Sequence, residues 1–284
     1  MKRIYLLALC LLLLSPHANA LVNGEAPAAD DKRFDAVAAF SQTSWLIDNK
    51  KDKHVHNWFG GAVLIAPDVV LFARHLLPAN KKAPIQANQY MVRFRRHVDG
   101  SLGSRKAGPN SYHQVPIARV IPAPRSDLAL GILAKPVEHI APVKVHLDNT
   151  PLENQTCYLA GWGSESRWRG VSGPRKGLRI GQNKLSTNRS SARILSYKTE
   201  TRENKAGKQA PYVIDENAVP NMHDSGGSIF ITDRDGGLAL CGIIATFSGG
   251  NYLPAADSDA FPLKAATQGA RALIKALDAR IPND

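Results

Sequence analysis

The sequence predicts an all-β protein of sandwich or barrel type. Three observations carry this: short runs rich in Val, Ile, Leu and Ala recur between turn-forming residues, 22 Gly and 18 Pro punctuate 284 residues, and just one long stretch has helical periodicity. With 44% hydrophobic and 21% charged residues, the chain has the composition of a globular protein that buries a core. Disorder, collagen and coiled coil are set aside on that ground. Three Cys are too few for a small disulfide-stapled scaffold.

Residues 1–20 have the layout of an export signal. Lys2 and Arg3 open it, and Ile4 to Ser15 form an apolar run of about a dozen residues, short of the roughly 20 needed to span a bilayer. Ala18-Asn19-Ala20 supplies the small-x-small cleavage pattern, so the mature chain is expected to begin at Leu21. A lipid anchor on Cys10 is the rival reading; the bulky Leu9 beside it argues against one. No later segment is long and apolar enough for a transmembrane anchor, so the mature protein is expected to be soluble and either secreted or periplasmic.

Strands are expected at Gly61 to Ile65, Val69 to Ala73, Tyr90 to Phe94, Ile117 to Ile121, Leu128 to Leu133, Thr156 to Ala160, Ser228 to Thr232 and Leu238 to Thr246. The stretch Asn183 to Gly207 is polar and charged, which suits an extended surface loop or edge strands. From Ala265 to Ile281, Ala270, Leu273, Ile274, Leu277 and Ile281 fall on one face of a terminal α-helix.

The formal net charge of +12 drops to +10 when Lys2 and Arg3 leave with the signal. Arg93, Arg95, Arg96, Arg105 and Lys106, then Arg167, Arg169, Arg175, Lys176 and Arg179, concentrate part of it. They read as solvated loop charges, and would favour encounter with an anionic surface or polymer. No zinc-finger spacing, aromatic-basic RNA motif or recognition-helix pattern accompanies them, so no specific nucleic acid is expected. Cys157 and Cys241 remain after processing; a single disulfide and two buried thiols are both open readings.

His223-Asp224-Ser225-Gly226-Gly227 lies between a turn and an apolar strand. A nucleophilic Ser needs a general base, a group that orients the base, and nearby N–H donors for the oxyanion, with small neighbours to admit a substrate backbone. Alone, Asp-Ser-Gly-Gly is explained by a turn. His75 follows the apolar run Val69 to Ala73, and Asp127 opens another, Leu128 to Leu133. Each alone reads as a structural residue, but their joint occurrence in the order His, Asp, Ser is one known solution to a catalytic triad.

These segments resemble the trypsin-like, chymotrypsin-fold serine protease family. Leu21-Val22-Asn23-Gly24 is similar to its mature amino terminus, Gly60-Gly61 through His75 to its His segment, and Ser126 to Leu130 to its Asp segment. Cys157 to Gly163, Asp224 to Gly227 and Gly242-Ile243-Ile244 match its second half. The resemblance implies two antiparallel six-stranded β-barrels with a C-terminal α-helix, divided as 21–140 and 141–284. It implies an exported serine endopeptidase acting on protein or peptide substrates, with neither cofactor nor metal. His75 would be the general base, Asp127 its orienting carboxylate and Ser225 the nucleophile. The N–H groups of Ser225 and His223 would form the oxyanion hole, and Asp224 would pair with the α-amino group of Leu21. Signal cleavage after Ala20 would then produce the active terminus directly.

The sequence departs from the family at several positions. His223 replaces a Gly that can turn its N–H into the hole at positive φ, so a collapsed hole is one expectation. Phe59 and Leu76 stand where a disulfide is usual beside the catalytic His. Cys157 aligns with one member of another family bridge whose partner position falls near Ile231, and the resemblance implies a shifted Cys157 to Cys241 bridge. Val219 falls at the base of the primary specificity pocket, with Thr246 and Phe247 at its wall, which suits a small or medium apolar side chain; Asp215 or Asp257 would supply an acidic base only if a loop folded inward. His54 and His56 lack a third metal ligand, and Asn154 and Asn188 sit in glycosylation sequons. The rivals to a peptidase are a weakly active or non-catalytic binder of anionic partners on the same fold, and an esterase sharing the triad.

Overall fold

In this computed structural model the described residues are 21–42, 58–77, 87–103, 112–122, 127–146, 154–163, 177–188, 191–194, 199–203, 209–213, 217–221, 223–244 and 259–262, with Leu152 and Gly207. The expected strand Val69 to Ala73 shows how the first sheet is built. All five residues are apolar and buried, because the strand is paired on both sides and covered on both faces.

Six strands close into a barrel: β1 (Val37–Gln42), β2 (Trp58–Ala66), β3 (Val69–Ala73), β4 (Tyr90–Phe94), β5 (His113–Pro122) and β6 (Leu128–Leu133), in the order β1-β2-β3-β6-β5-β4. The closing pair is β1 with β4, antiparallel, Ala39 facing Arg93. Inside, Phe40 stacks on Phe72 at 4.5 Å and on Tyr90 at 5.5 Å between ring centroids, and Phe94 and Ile117 complete the packing.

The second sheet takes β7 (Lys144–Val145), β8 (Thr156–Gly161), β9 (Arg179–Asn188), β10 (Ser191–Ile194), β13 (Ser228–Thr232), β14 (Leu238–Ile244) and β15 (Asp259–Pro262). Its order is β13-β8-β9-β10-β15-β14-β7, and β13 also pairs with β14. β11 (Thr199–Glu203) and β12 (Gln209–Val213) form a separate two-stranded ribbon. A shared core lies between the sheets, where Phe34 meets Phe230 edge-on at 5.8 Å, Tyr112 meets Trp162 at 5.9 Å, and the Trp162 indole N–H donates to the Val37 carbonyl.

β3, β4, β6 and β13 occupy the expected residues, while β2 and β5 run further. β14 is described as far as Ile244, and Ala245 and Thr246 lie outside the described residues. Of the two readings of Asn183 to Gly207, strands hold in part: the stretch carries the end of β9, then β10 and β11, of which β9 and β10 are paired on both sides and are not edges, while β11 pairs only with β12 among the described residues. No α-helix occurs among the described residues; the terminal helix expected at Ala265 to Ile281 lies outside them. Among the described residues no helix is long and apolar enough to cross a membrane.

One expectation is corrected. Arg93, Arg95 and Arg96 are not solvated loop charges; all three are buried, at 0%, 6% and 9% exposure. Arg95 and Arg96 both reach the buried carboxylate of Asp35, so neither offers a free charge to an anionic partner. A strand pattern places Arg93 on β4, but which face closes over it depends on the barrel, which local sequence does not encode. Arg105, Lys106, Arg167, Arg169, Arg175 and Lys176 lie outside the described residues.

Candidate active site

β3 ends at Ala73 and runs into one turn of 3₁₀ helix, Arg74–Leu76, which lifts His75 out of the sheet beside the start of β6. There Asp127 grips it twice. Its Oδ1 accepts the His75 backbone N–H at 2.8 Å, and its Oδ2 lies 2.6 Å from His75 Nδ1. Arg74 N also donates to the Asp127 carbonyl at 3.1 Å, fixing the two segments to each other. Both side chains stay partly open to solvent, at 28% and 23% exposure. A carboxylate can only accept, so the contact favours a proton on Nδ1, which in the neutral imidazole leaves the lone pair on Nε2.

The Ser225 turn is held from two directions. Gly61 on β2 donates its N–H to the Ser225 carbonyl at 2.7 Å, and Gly226 N donates to the Ile244 carbonyl on β14 at 2.7 Å. At Gly61 a β-carbon would fall 2.8 Å from Gly227 N, so the contact between the two sheets requires the missing side chain. Leu76 lies across Gly60 and packs against both the barrel interior and the shared core. Where the family resemblance places a half-cystine, this chain therefore has an apolar contact joining the His75 turn to the sheet below it.

Asp224 is fully buried, and backbone N–H groups surround its carboxyl. Gly163 N donates to Oδ1 at 2.9 Å; Asn221 N and Leu21 N donate to Oδ2 at 2.8 Å and 3.2 Å. Gly161 has no side chain because Asp224 Oδ1 occupies that space. Leu21 itself is buried, and its neighbour Val22 exchanges two backbone hydrogen bonds with Val219, at 2.8 Å and 3.0 Å. Sequence reasoning found Leu21 and Asp224 but missed Gly163 and Asn221, which contribute only backbone and leave no side-chain signal.

His223 has φ 70°, the left-handed region usually reserved for Gly. The backbone at this position takes the left-handed conformation open to Gly, at a cost of about 1–2 kcal/mol for a residue with a side chain. His is among the side chains that enter this region more readily than most.

Cys157 and Cys241 are free and buried, so the expected bridge is not formed. β13 lies between β8, which carries Cys157, and β14, which carries Cys241. Strands two places apart in a sheet are separated by about 9–10 Å, beyond the roughly 7 Å between Cα atoms that a disulfide tolerates. Burial pushes the Cys157 thiol up to about 12 and raises that of Cys241 as well.

Val219 is buried where the pocket base was expected. Thr246, Phe247, Asp215, Asp257, His54 and His56 lie outside the described residues, and of Asn188 only the backbone of β9 is described. Asn154 is exposed at φ 60°.

No curated protein matches the chain. Residues 27–254 match the family model described as Trypsin, which covers most of the chain and takes in His75, Asp127 and Ser225. By that match the chain belongs to the trypsin-like serine protease family.

Proposed function

We propose that this protein is an exported serine endopeptidase that cleaves peptide bonds through an acyl-enzyme. The observation that carries the reading is the double contact of Asp127 with His75, which fixes both the position and the tautomer of the imidazole. His75 Nε2 takes the proton from Ser225 Oγ as that oxygen attacks the scissile carbonyl, then gives it to the leaving amine. Asp127 stabilises the imidazolium formed between these steps. Water then repeats the sequence with Ser225 as leaving group, releasing the acid.

The N–H groups of His223 and Ser225 are the proposed oxyanion donors, and the positive φ at His223 supports that assignment. Loss of one such donor costs about 3–4 kcal/mol of transition-state stabilisation. Asp224 is proposed to hold the α-amino group of Leu21 after signal cleavage following Ala20; the Leu21 nitrogen already lies 3.2 Å from its carboxyl. A cation there would neutralise a buried carboxylate and fix the turn that carries Ser225. Val219, with Thr246 and Phe247, is proposed to line the primary pocket and to favour small or medium apolar side chains. The reading takes the second sheet as a second six-stranded barrel, since β13-β8-β9-β10-β15-β14 returns to β13. It divides the units at 140/141, between the end of β6 and the start of β7.

The test is covalent labelling of protein that begins at Leu21 with a fluorophosphonate, read by intact mass. Labelling is expected in the parent and lost in Ser225→Ala. Asp127→Asn should slow acylation about 10⁴-fold by stabilising the wrong tautomer. An unlabelled parent would sink the reading, and faster turnover of activated esters with no peptide cleavage would assign an esterase instead.

A further inference from the structure

Arg95 and Arg96 follow the end of β4, where the chain leaves the regular strand and adjacent side chains need no longer point to opposite faces. Both converge on Asp35. Arg95 Nε donates to its Oδ1 at 2.7 Å and Arg96 Nε to its Oδ2 at 2.6 Å. Two guanidinium groups against one carboxylate leave an excess positive charge in a site that water barely reaches. Backbone carbonyls solvate it in place of water. Arg95 Nη1 donates to Ala28 O at 3.3 Å and its Nη2 to Asp31 O, while Arg96 Nη2 donates to Ala29 O at 2.9 Å and its Nη1 to Gly100 O at 2.8 Å.

Three of these carbonyls belong to the amino-terminal arm, so the arm and the arginines depend on each other. Without the arm, two buried cations lose acceptors; without the arginines, residues 28–31 lose their hold on the barrel. The same arm ends at Leu21. Between the two ends it pairs with β9 of the second sheet through Glu25 with Ile180, and with the segment ahead of the Ser225 turn through Val22 with Val219. Fixing residues 28–31 confines residues 21–27 to a small volume and raises the effective concentration of the Leu21 nitrogen at Asp224.

We propose that Asp35, Arg95 and Arg96 are positioning residues that dock the amino-terminal arm on the first barrel and thereby hold the Leu21 amino group on Asp224. The proposal rests on the reading above, in which that amino group is free and orders the Ser225 turn. It makes activity depend on a charge cluster of the first barrel, well removed in sequence from the nucleophile.

The experiment compares the parent with Asp35→Asn and the milder Arg96→Lys, all beginning at Leu21. One readout is reductive methylation of the native proteins with formaldehyde and cyanoborohydride, mapped to the Leu21 α-amine by peptide mass. The other is the pH profile of Ser225 acylation by a fluorophosphonate. The amine must be protonated to pair with Asp224, so acylation persists below its folded pKa and is lost as pH rises through it. Asp224 is the charged group facing Leu21; the thiols of Cys157 and Cys241 share its apolar cluster and, being raised by burial, stay neutral across that window.

Methylation of Leu21 is expected to be at least about tenfold faster in Asp35→Asn, with the alkaline limb lowered by about one pH unit toward the ordinary α-amine range near 8. The acidic limb stays in place. Arg96→Lys moves both readouts the same way by less, and decides the matter if Asp35→Asn does not fold. Folded variants that match the parent in both readouts would overturn the proposal. If the parent never labels at Ser225, the peptidase reading fails by itself, and methylation of Leu21 still decides whether the cluster docks the arm.

Discussion

Gly61 and Ser225 are joined backbone to backbone across the two sheets, by a 2.7 Å hydrogen bond from the Gly61 amide to the Ser225 carbonyl. The Ser225 turn is therefore located by the same strand, β2, that pairs with β3, and β3 leads directly into His75. Two residues far apart in sequence share one piece of scaffold.

Gly61→Ala should break this arrangement without touching a reacting group. Its β-carbon would fall 2.8 Å from Gly227 N and 2.9 Å from Gly227 Cα, both backbone atoms with little room to move. Overpacking of this kind costs about 1–3 kcal/mol, and, on the proposed function, a displacement near 1 Å at Ser225 about 10²-fold in rate. Thermal unfolding and the rate of Ser225 acylation would measure the two effects. Retention of the parent acylation rate would show that the interlock does not position Ser225.

His223→Gly should raise the unfolding midpoint, since Gly adopts the observed φ of 70° without the side-chain penalty of about 1–2 kcal/mol. Ser225 acylation should be as fast as in the parent or faster. A slower rate would show that the imidazole itself takes part, which backbone geometry alone does not require.

The thiols should be silent in the folded protein. Reactivity follows the thiolate, and burial holds the Cys157 thiol at about 12 and raises that of Cys241. Iodoacetamide at pH 8 is expected to leave both unmodified until the protein unfolds, after which both react. Protection that vanishes on adding a reductant would reveal a crosslink and contradict the separation by β13.

Stability should fall as pH drops below about 6.5. Burial first, then the neighbouring His139 and His97, hold the His113 imidazole below its ordinary value, and the His113 and His139 rings meet edge-on at 4.6 Å. The unfolded chain protonates at the ordinary value and the folded one only at lower pH, so the unfolded state binds more protons between the two. The contribution is intact above the unfolded pKa and is lost as pH falls toward the folded one. Unfolding midpoints from pH 5 to 8 would show the slope, and His113→Gln should flatten it; an unchanged slope would assign it to other groups.

Apolar strands were legible wherever side chains carry the pattern, as in β3, β4, β6 and β13. β1 escaped because Val37-Ala38-Ala39-Phe40 is buried on both faces and rich in Ala, with no alternation and weak strand preference. β9 escaped for the opposite reason: it is polar, and it is held by backbone pairing on both sides together with Asn183, whose side-chain amide donates to Ala218 O at 2.7 Å. At the site, the pairing of His75 with Asp127 and of Leu21 with Asp224 was readable because each pair includes a carboxylate in a recognisable segment. The Asp35 cluster was not, because an acid and two bases spaced along a chain reveal neither burial nor convergence.

The pairing of β1 with β4 leaves every strand of the first barrel with a neighbour on each side. A strand without such a neighbour offers bare N–H and C=O groups to any other chain that comes near. Among the described residues, β11 and β12 pair only with each other, and Thr201, Arg202 and Glu203 are exposed. At high concentration, self-association by strand addition would therefore start at this ribbon rather than at the barrel. The charges of Arg202 and Glu203 are the natural guard against it.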